Sequence, residues 1–413
     1  MKNNIVNKFI ENSQNNNKIA LIYKNKKISY DNLLKDIFKM INLFKSHNLK
    51  PNDKVLLFII PSYNFYLCML ASIYYGLNII VIDSFSDKKK VSNLVNMVDV
   101  KLCFIDNKSR FLRFILPKLK FINISRYYKN DNKYIEYENN NNTVLTTFTS
   151  GTTGNHKIIN RKISDLEKQI NLLNDNINFN ESNTILCGLP IYMLLLLVLG
   201  KTAIIDNKIN KKLDYDTILM PIIKVLKNKK CMNNVKYMFL GGAILYQNEV
   251  NKIKDLYPNA YINYVYGASE GVLIAKTSLD DYHDLSFDNN ILGVDVKIVD
   301  EEIVISGDAI LTASRHYTGD LGCIKGSKLK VLGRKKYSKG EFYNYVFDEI
   351  MLNENPYVKK GFSFWYNDNI YFVYEGSLSK KRDNVIYYKF KKLPMDSKHK
   401  TKLDYNMVMK VIK

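Results

Sequence analysis

The chain has 413 residues, 46% of them hydrophobic and 24% charged, an ordinary globular composition that excludes wholesale disorder and, at about 150 residues per domain, allows two or three domains. Sixty-one Lys and Arg against 40 Asp and Glu give a formal net charge of +21, which raises the question of nucleic acid. The excess is spread along the chain among Asn, Ile and Tyr, with fifteen basic and nine acidic residues between Lys336 and Lys413, so no basic domain stands out and no nucleic-acid partner is expected.

In chain order, short strands are expected at Ala20–Tyr23 and Lys27–Ser29. A helix follows over Tyr30–Lys45, where Leu33, Ile37, Ile41 and Phe44 share one face. A continuous apolar strand, Val55–Ile60, stops at Pro61, and a helix over about Tyr63–Tyr75 ends at Gly76. Strand Ile79–Ile82, helix Val91–Val98 and strand Leu102–Ile105 come next. Apolar strands separated by helices predict a mostly parallel sheet covered on both faces. From about Gly293 the pattern changes to short β segments, Val296–Val299, Ile303–Ser306 and Leu329–Leu332, which predict a small barrel or antiparallel sheet. After Gly333 the elements shorten and mix strand, Ile370–Tyr374, with helix. The fold class is therefore α/β: a large N-terminal domain of mostly parallel sheets flanked by helices with a small β-rich subdomain, then a small α+β C-terminal domain. The expected boundaries are 1–334 and 335–413.

No run approaches the roughly 18 apolar residues that a membrane span needs, and no secretory signal is visible at the N-terminus. Cys68, Cys103, Cys187, Cys231 and Cys323 are scattered without a Cys-x-x-Cys pair. A reducing cytoplasm is the expected compartment.

The most informative stretch is Thr143-Val-Leu-Thr-Thr-Phe-Thr-Ser-Gly-Thr-Thr-Gly-Asn-His-Lys157. A β-branched strand runs into Thr149, Ser150, Gly151, Thr152, Thr153 and Gly154, followed by Lys157. Glycines let backbone N–H groups turn toward an anion, hydroxyls add donors, and the lysine supplies a point charge. The glycine spacing is not that of the G-x-x-x-x-G-K-[ST] loop. The string resembles the phosphate loop of the adenylate-forming superfamily, which comprises acyl-CoA synthetases, peptide-synthetase adenylation domains and luciferases.

That resemblance implies further motifs in a fixed order, and the sequence supplies them from Ile19 to Ile412. Tyr237-Met-Phe-Leu-Gly-Gly-Ala-Ile-Leu245 resembles the family's Gly-Gly-Ala segment, which flanks the adenine and the acyl pocket and points to Gly241, Gly242 and Ala243. Asn263-Tyr-Val-Tyr-Gly-Ala-Ser-Glu270 resembles its Tyr-Gly-x-Thr-Glu motif. The resemblance puts Tyr266, beside Gly267, on the adenine, Ser269 on the α-phosphate and Glu270 at Mg²⁺. Tyr317-Thr-Gly-Asp-Leu-Gly322 implies Asp320 on the ribose hydroxyls, and Gly333-Arg334 opens the hinge, with Arg334 on the ribose. Lys336 fits the lysine variant of the hinge residue. Thr401-Lys-Leu-Asp404 stands where the family has Gly-Lys-Ile-Asp, which makes Lys402 the expected catalytic lysine.

The departures are local. His156 replaces the family's Pro before Lys157 and is given no role. Between Arg334 and Gly340 the chain is about three residues short of the common pattern, and the small domain is reduced. In Leu189-Pro-Ile-Tyr-Met-Leu-Leu-Leu-Leu-Val198, where the resemblance places the acyl pocket, amino-acid-activating relatives carry an Asp. Here there are Tyr192, Met193 and aliphatic residues. An unpaired ammonium against such a wall would be costly, so an apolar fatty or aryl acid is expected; a buried packing helix is the other reading of the segment. The resemblance implies ATP with Mg²⁺, a small carboxylic acid, release of pyrophosphate, and transfer of the acyl group to CoA or to the phosphopantetheine of an acyl carrier protein. Capture of the acyl-adenylate by an internal hydroxyl (β-lactone formation), amino-acid adenylation and a degenerate nucleotide-binding protein without activity remain as alternatives.

Overall fold

The computed structural model describes all residues except 1–4, 83–87, 127–134, 139–140, 151–155, 207, 211, 312–313, 396–402 and 413, together with the main chain but not the side chains of 88–90, 149, 150 and 156. The chain forms two compact units, Met1–Leu219 and Met220–Lys413.

Unit 1 opens with α1 (Ile5–Ser13), the hairpin β1 (Ile19–Tyr23) and β2 (Lys26–Ser29), and α2 (Tyr30–Ser46). Ser29 caps α2 by accepting from Asn32 N at 3.2 Å, and Leu33, Ile37, Ile41 and Phe44 are buried along one stripe, as the spacing predicts. Then come β3 (Lys54–Phe58), α3 (Tyr63–Tyr75), β4 (Asn78–Val81), α4 (Lys88–Asn96), β5 (Leu102–Ile105), β6 (Phe121–Asn123), β7 (Thr143–Ser150) and β8 (His156–Lys162). These strands form a sheet in the order β6-β5-β3-β4-β7-β8, parallel except for the final β7–β8 pair. One face of it is covered by Val91, Leu94, Val95 and Val98 together with Leu112 and Leu116. The remaining elements are α5 (Ile163–Asn176), β9 (Thr184–Cys187), α6 (Pro190–Val198), β10 (Thr202–Ile205) and β11 (Thr217–Pro221), which ends across the unit boundary. They build a second parallel run, β11-β9-β10-β1, closed by antiparallel β2.

Unit 2 begins with α7 (Ile222–Leu226), β12 (Tyr237–Gly241), α8 (Gln247–Leu256) and β13 (Tyr261–Tyr266). It continues through β14 (Ala275–Ser278), β15 (Ser286–Asp288), β16 (Asp295–Val299), β17 (Glu302–Ser306), β18 (His316–Lys325) and β19 (Lys328–Arg334). Among the described strands named so far in this unit, β12–β13 pair in parallel and the others form an open antiparallel run in the order β16-β17-β18-β19-β15-β14-β13, not a closed barrel. After Arg334 come α9 (Asn344–Glu354), β20 (Val358–Tyr366), β21 (Asn369–Gly376), β22 (Val385–Lys389) and α10 (Tyr405–Ile412). The three strands form their own sheet, and Asn367 and Asp368, with φ of 45° and 57°, make the two-residue turn between β20 and β21. No described helix is long and apolar enough to cross a membrane.

Candidate active site

In unit 2 the β18–β19 hairpin sets Asp320 directly opposite Arg334. The Arg334 Nε lies 3.0 Å from Asp320 Oδ1, and its Nη1 donates to the Thr318 carbonyl at 3.1 Å. Asp320 is buried at 5% exposure. Its other oxygen, Oδ2, accepts a 2.7 Å hydrogen bond from the Tyr266 hydroxyl at the end of β13. Among the described residues Oδ1 has no hydrogen-bond donor in line, so its contact with Arg334 is one of charge rather than a directed hydrogen bond. Burial, and then the Asp320 charge, hold the Tyr266 phenol well above its ordinary pKa, which keeps it a donor. Asp320 in turn raises the Arg334 guanidinium further above its already high value. From the start of α9 the Tyr345 hydroxyl also bonds with Arg334, and Arg334 N donates to Asn344 Oδ1 at 2.7 Å.

The turn after β13 exists because residue 267 is glycine. A Cβ there would sit 2.4 Å from the Val272 carbonyl oxygen, since the chain doubles back with Ala268 N donating to Gly271 O. That fold-back carries Ser269 and Glu270. The Glu270 side chain is buried, with Oε2 lying 3.6 Å from His316 Nε2. After β12, Gly242 takes a φ of +90°, and the Tyr264 hydroxyl pins the turn by donating to the Ala243 carbonyl at 2.8 Å. Gly241 is the buried last residue of β12.

Lys336 is exposed in a single 3₁₀ turn, Lys335–Tyr337, with its ammonium 5.6 Å from the Tyr337 ring centre. Tyr337 stacks on Tyr405, ring centroids 3.6 Å apart. Lys335 instead pairs with Glu302 at 2.8 Å, while the other Glu302 oxygen accepts from Gly319 N at 2.9 Å, tying this turn to the Asp320 strand. Lys402 lies outside the described residues, as do 396–401; after it, Leu403 is buried with Phe364, Val373 and Val408, and Asp404 N donates to the Pro394 carbonyl.

In unit 1, Gly151, Thr152, Thr153 and Gly154 lie outside the described residues, as do the Thr149 and Ser150 side chains. The flanking strands are ordered in register, with Thr149 opposite Lys157. Tyr192 and Met193 are buried in α6, whose last carbonyls accept from Asn12 Nδ2 (Val198 O, 2.6 Å) and the Tyr30 hydroxyl (Leu197 O, 3.3 Å). Among the described residues the buried Tyr192 hydroxyl has no hydrogen-bond partner, and burial raises its pKa.

The structure thus brings Tyr266, Asp320 and Arg334 together. Three participants carry no motif of their own and are found only by contact: His316 on Glu270, and Asn344 and Tyr345 on Arg334. A further group invisible in the sequence lies where α8 meets α9. The Tyr246 hydroxyl and Ser363 N donate to the two oxygens of Asp348, at 3.0 and 2.6 Å, and Gln247 N donates to Glu349. Glu249 accepts from Tyr246 N, and burial, opposed in part by Lys360 and Lys252, pushes its carboxyl up to about 7. Burial likewise pushes Asp348 well up.

The cluster is thus a buried carboxylate beside an arginine and a tyrosine, on three strands of one sheet. Residues 10–204 match the family model for AMP-binding enzymes. The chain is similar to 4-coumarate–CoA ligase 4 of Arabidopsis thaliana, 24% identical over 226 residues, a match spanning 45% of this chain and only 37% of that protein. Among solved structures it resembles MatB of Rhodopseudomonas palustris bound to ATP (TM-score 0.85, 16% identity, 99% of both chains). It also resembles o-succinylbenzoate CoA synthetase of Bacillus subtilis in complex with its acyl-adenylate intermediate (TM-score 0.83, 15% identity, 97% of both chains). The family match thus lies in residues 10–204, and the chain as a whole shares the fold of these solved structures.

Proposed function

We propose that the protein activates a carboxylic acid with ATP, releasing pyrophosphate, and passes the acyl group of the resulting acyl-adenylate to the thiol of CoA. The observation that carries this reading is the Tyr266–Asp320–Arg334 cluster. A buried carboxylate oxygen without a directed donor is an acceptor waiting for one, and a ribose hydroxyl supplies it. Arg334, held by Asp320 and the Thr318 carbonyl, keeps that carboxylate aimed. Glu270 fits a Mg²⁺ role, because this ion keeps most of its waters and needs few protein oxygens. When bound, it would neutralise charge on the phosphates. His316 would orient the Glu270 carboxylate, and Tyr266 would present its ring to the adenine.

Joining two anions calls for alignment and charge neutralisation rather than a nucleophilic side chain. In this reading Thr149 to Gly154 and Lys157 hold the β- and γ-phosphates, Gly242, Ala243, Gly267 and Ser269 border the nucleotide, and Lys402 bridges the acid and the α-phosphate. Residues 335–413 would then turn about Lys336 to remove the lysine and admit the thiol.

For the acid, the reading is an apolar one bordered by Tyr192, Met193 and Gly241, supported by the lack of any carboxylate or amide along α6. The unpartnered Tyr192 hydroxyl supports including hydroxylated aryl acids beside fatty acids in the test. Pyrophosphate release across fatty, aryl and amino acids, with and without CoA, should show apolar acids preferred and kcat/KM climbing about three- to four-fold per added CH₂ until the pocket is full. Met193→Asp should abolish the climb. A flat response, or activation of a free amino acid, would refute the assignment of the acid.

A further inference from the structure

The segment entering β6 reads Lys108-Ser-Arg-Phe-Leu-Arg-Phe-Ile-Leu-Pro-Lys-Leu-Lys120 and belongs to no part of the site described above. It holds five basic residues and no acidic one. The nearest carboxylate, Asp106, is engaged locally, accepting from Lys108 N, Ser109 N and the Ser109 hydroxyl at 2.8–3.0 Å. Leu112 and Leu116, one helical turn apart, are buried against the sheet. Around that anchor, with Ile115 and Leu119 also packed against the core, Lys108, Arg110, Arg113, Lys118 and Lys120 are all exposed. Phe111 is 43% exposed and rests edge-on against Phe58, while Phe114 stands 91% exposed.

A lone exposed apolar side chain is ordinary. A nearly naked phenyl ring set among cations, on a backbone fixed by two buried leucines, is a defined arrangement. We propose that residues 108–120 dock the protein on an anionic lipid bilayer, with Phe114, supported by Phe111, entering the headgroup layer and the five cations facing lipid phosphates. Charge complementarity selects the sign of the partner. The projecting ring selects a fluid partner, because a medium that closes around a prong needs no preformed pocket. A stable protein interface would ask for roughly 800 Å² on this side, more than a single turn of this length offers. Each cation near such a surface strengthens partitioning about five-fold, and burial of a phenyl ring adds about ten-fold or more.

The test is co-sedimentation of the full chain with vesicles of phosphatidylcholine alone or mixed equally with phosphatidylglycerol. Wild type should sediment with the anionic vesicles, weakly with the neutral ones, and less as salt rises. Phe114→Ser should weaken binding about ten-fold, and Arg110→Gln with Arg113→Gln about twenty-fold or more. Lys229→Gln with Lys230→Gln, which removes the same charge from exposed positions elsewhere, should change it less than two-fold. Pyrophosphate exchange should stay at the wild-type level in every variant. No vesicle binding by wild type, unchanged binding by Phe114→Ser, or equal loss in the lysine control would overturn the proposal. So would capture of an acidic carrier protein that depends on Phe114 while vesicles are ignored.

Discussion

Replacing Asp320 by Asn tests the cluster at its centre. The substitution keeps the shape of the side chain but leaves the Arg334 guanidinium with the Thr318 carbonyl and Tyr345 as partners. Removing one partner of a buried ion pair typically costs about 3–5 kcal/mol. Here the Arg334 side chain retains 29% exposure while that of Asp320 retains 8%, so water recovers part of the charge and about 2 kcal/mol is expected. Tyr266→Phe deletes the 2.7 Å hydrogen bond to the same carboxylate and should cost about 1–2 kcal/mol. Because both changes act on one network, the double variant should cost less than the sum, by about 1 kcal/mol. Urea unfolding followed by the fluorescence of Trp365, the single tryptophan, reports on the unit that holds the cluster. The KM for ATP should rise in Asp320→Asn by about ten-fold or more if a ribose hydroxyl uses Oδ1. Strict additivity, or a loss below about 0.5 kcal/mol for Asp320→Asn, would refute the cluster as described. An unchanged KM would refute its role toward nucleotide while leaving the fold intact.

Lys402→Ala should slow ATP–pyrophosphate exchange by about 10²–10³, the usual effect of removing one preorganised charge at a developing oxyanion; exchange within a few-fold of wild type would exclude Lys402 as the catalytic lysine. The carboxyl of Glu249 gives a pH test. Its pKa is raised from 4.5 to about 7 in the folded chain, so the native state holds this proton more tightly and stability falls as pH rises from about 4.5 to 7. Glu249→Gln keeps an acceptor for Tyr246 N and removes that slope. Thermal melts should show the variant matching wild type near pH 4.5 and exceeding it above pH 7 by about 1–3 kcal/mol; a constant difference across that range would show that Glu249 does not titrate there.

The sequence by itself determined most of the elements and the family resemblance. Alternating apolar strands and amphipathic helices predict that β3, β4 and β5 are parallel, and the strand and helix ends fall within a few residues of expectation because Ser29, Pro61 and Gly76 punctuate the chain locally. Motifs such as Tyr266-Gly267 and Thr318-Gly319-Asp320 are legible for the same reason: the glycines answer to constraints within a few residues. What tertiary structure decided is who faces whom. Asp320 and Tyr266 are 54 residues apart, and only the strand register makes one the acceptor of the other. The continuous antiparallel run from β13 to β16 and the unit boundary at Leu219 depend on which edge each strand pairs with, and alternation of apolar residues carries no information about that choice. His316, Asn344 and Tyr345 were silent for a related reason. A polar residue acquires its role from the charge buried beside it, and burial is a property of the packed chain, set by contacts across long loops that no local pattern records.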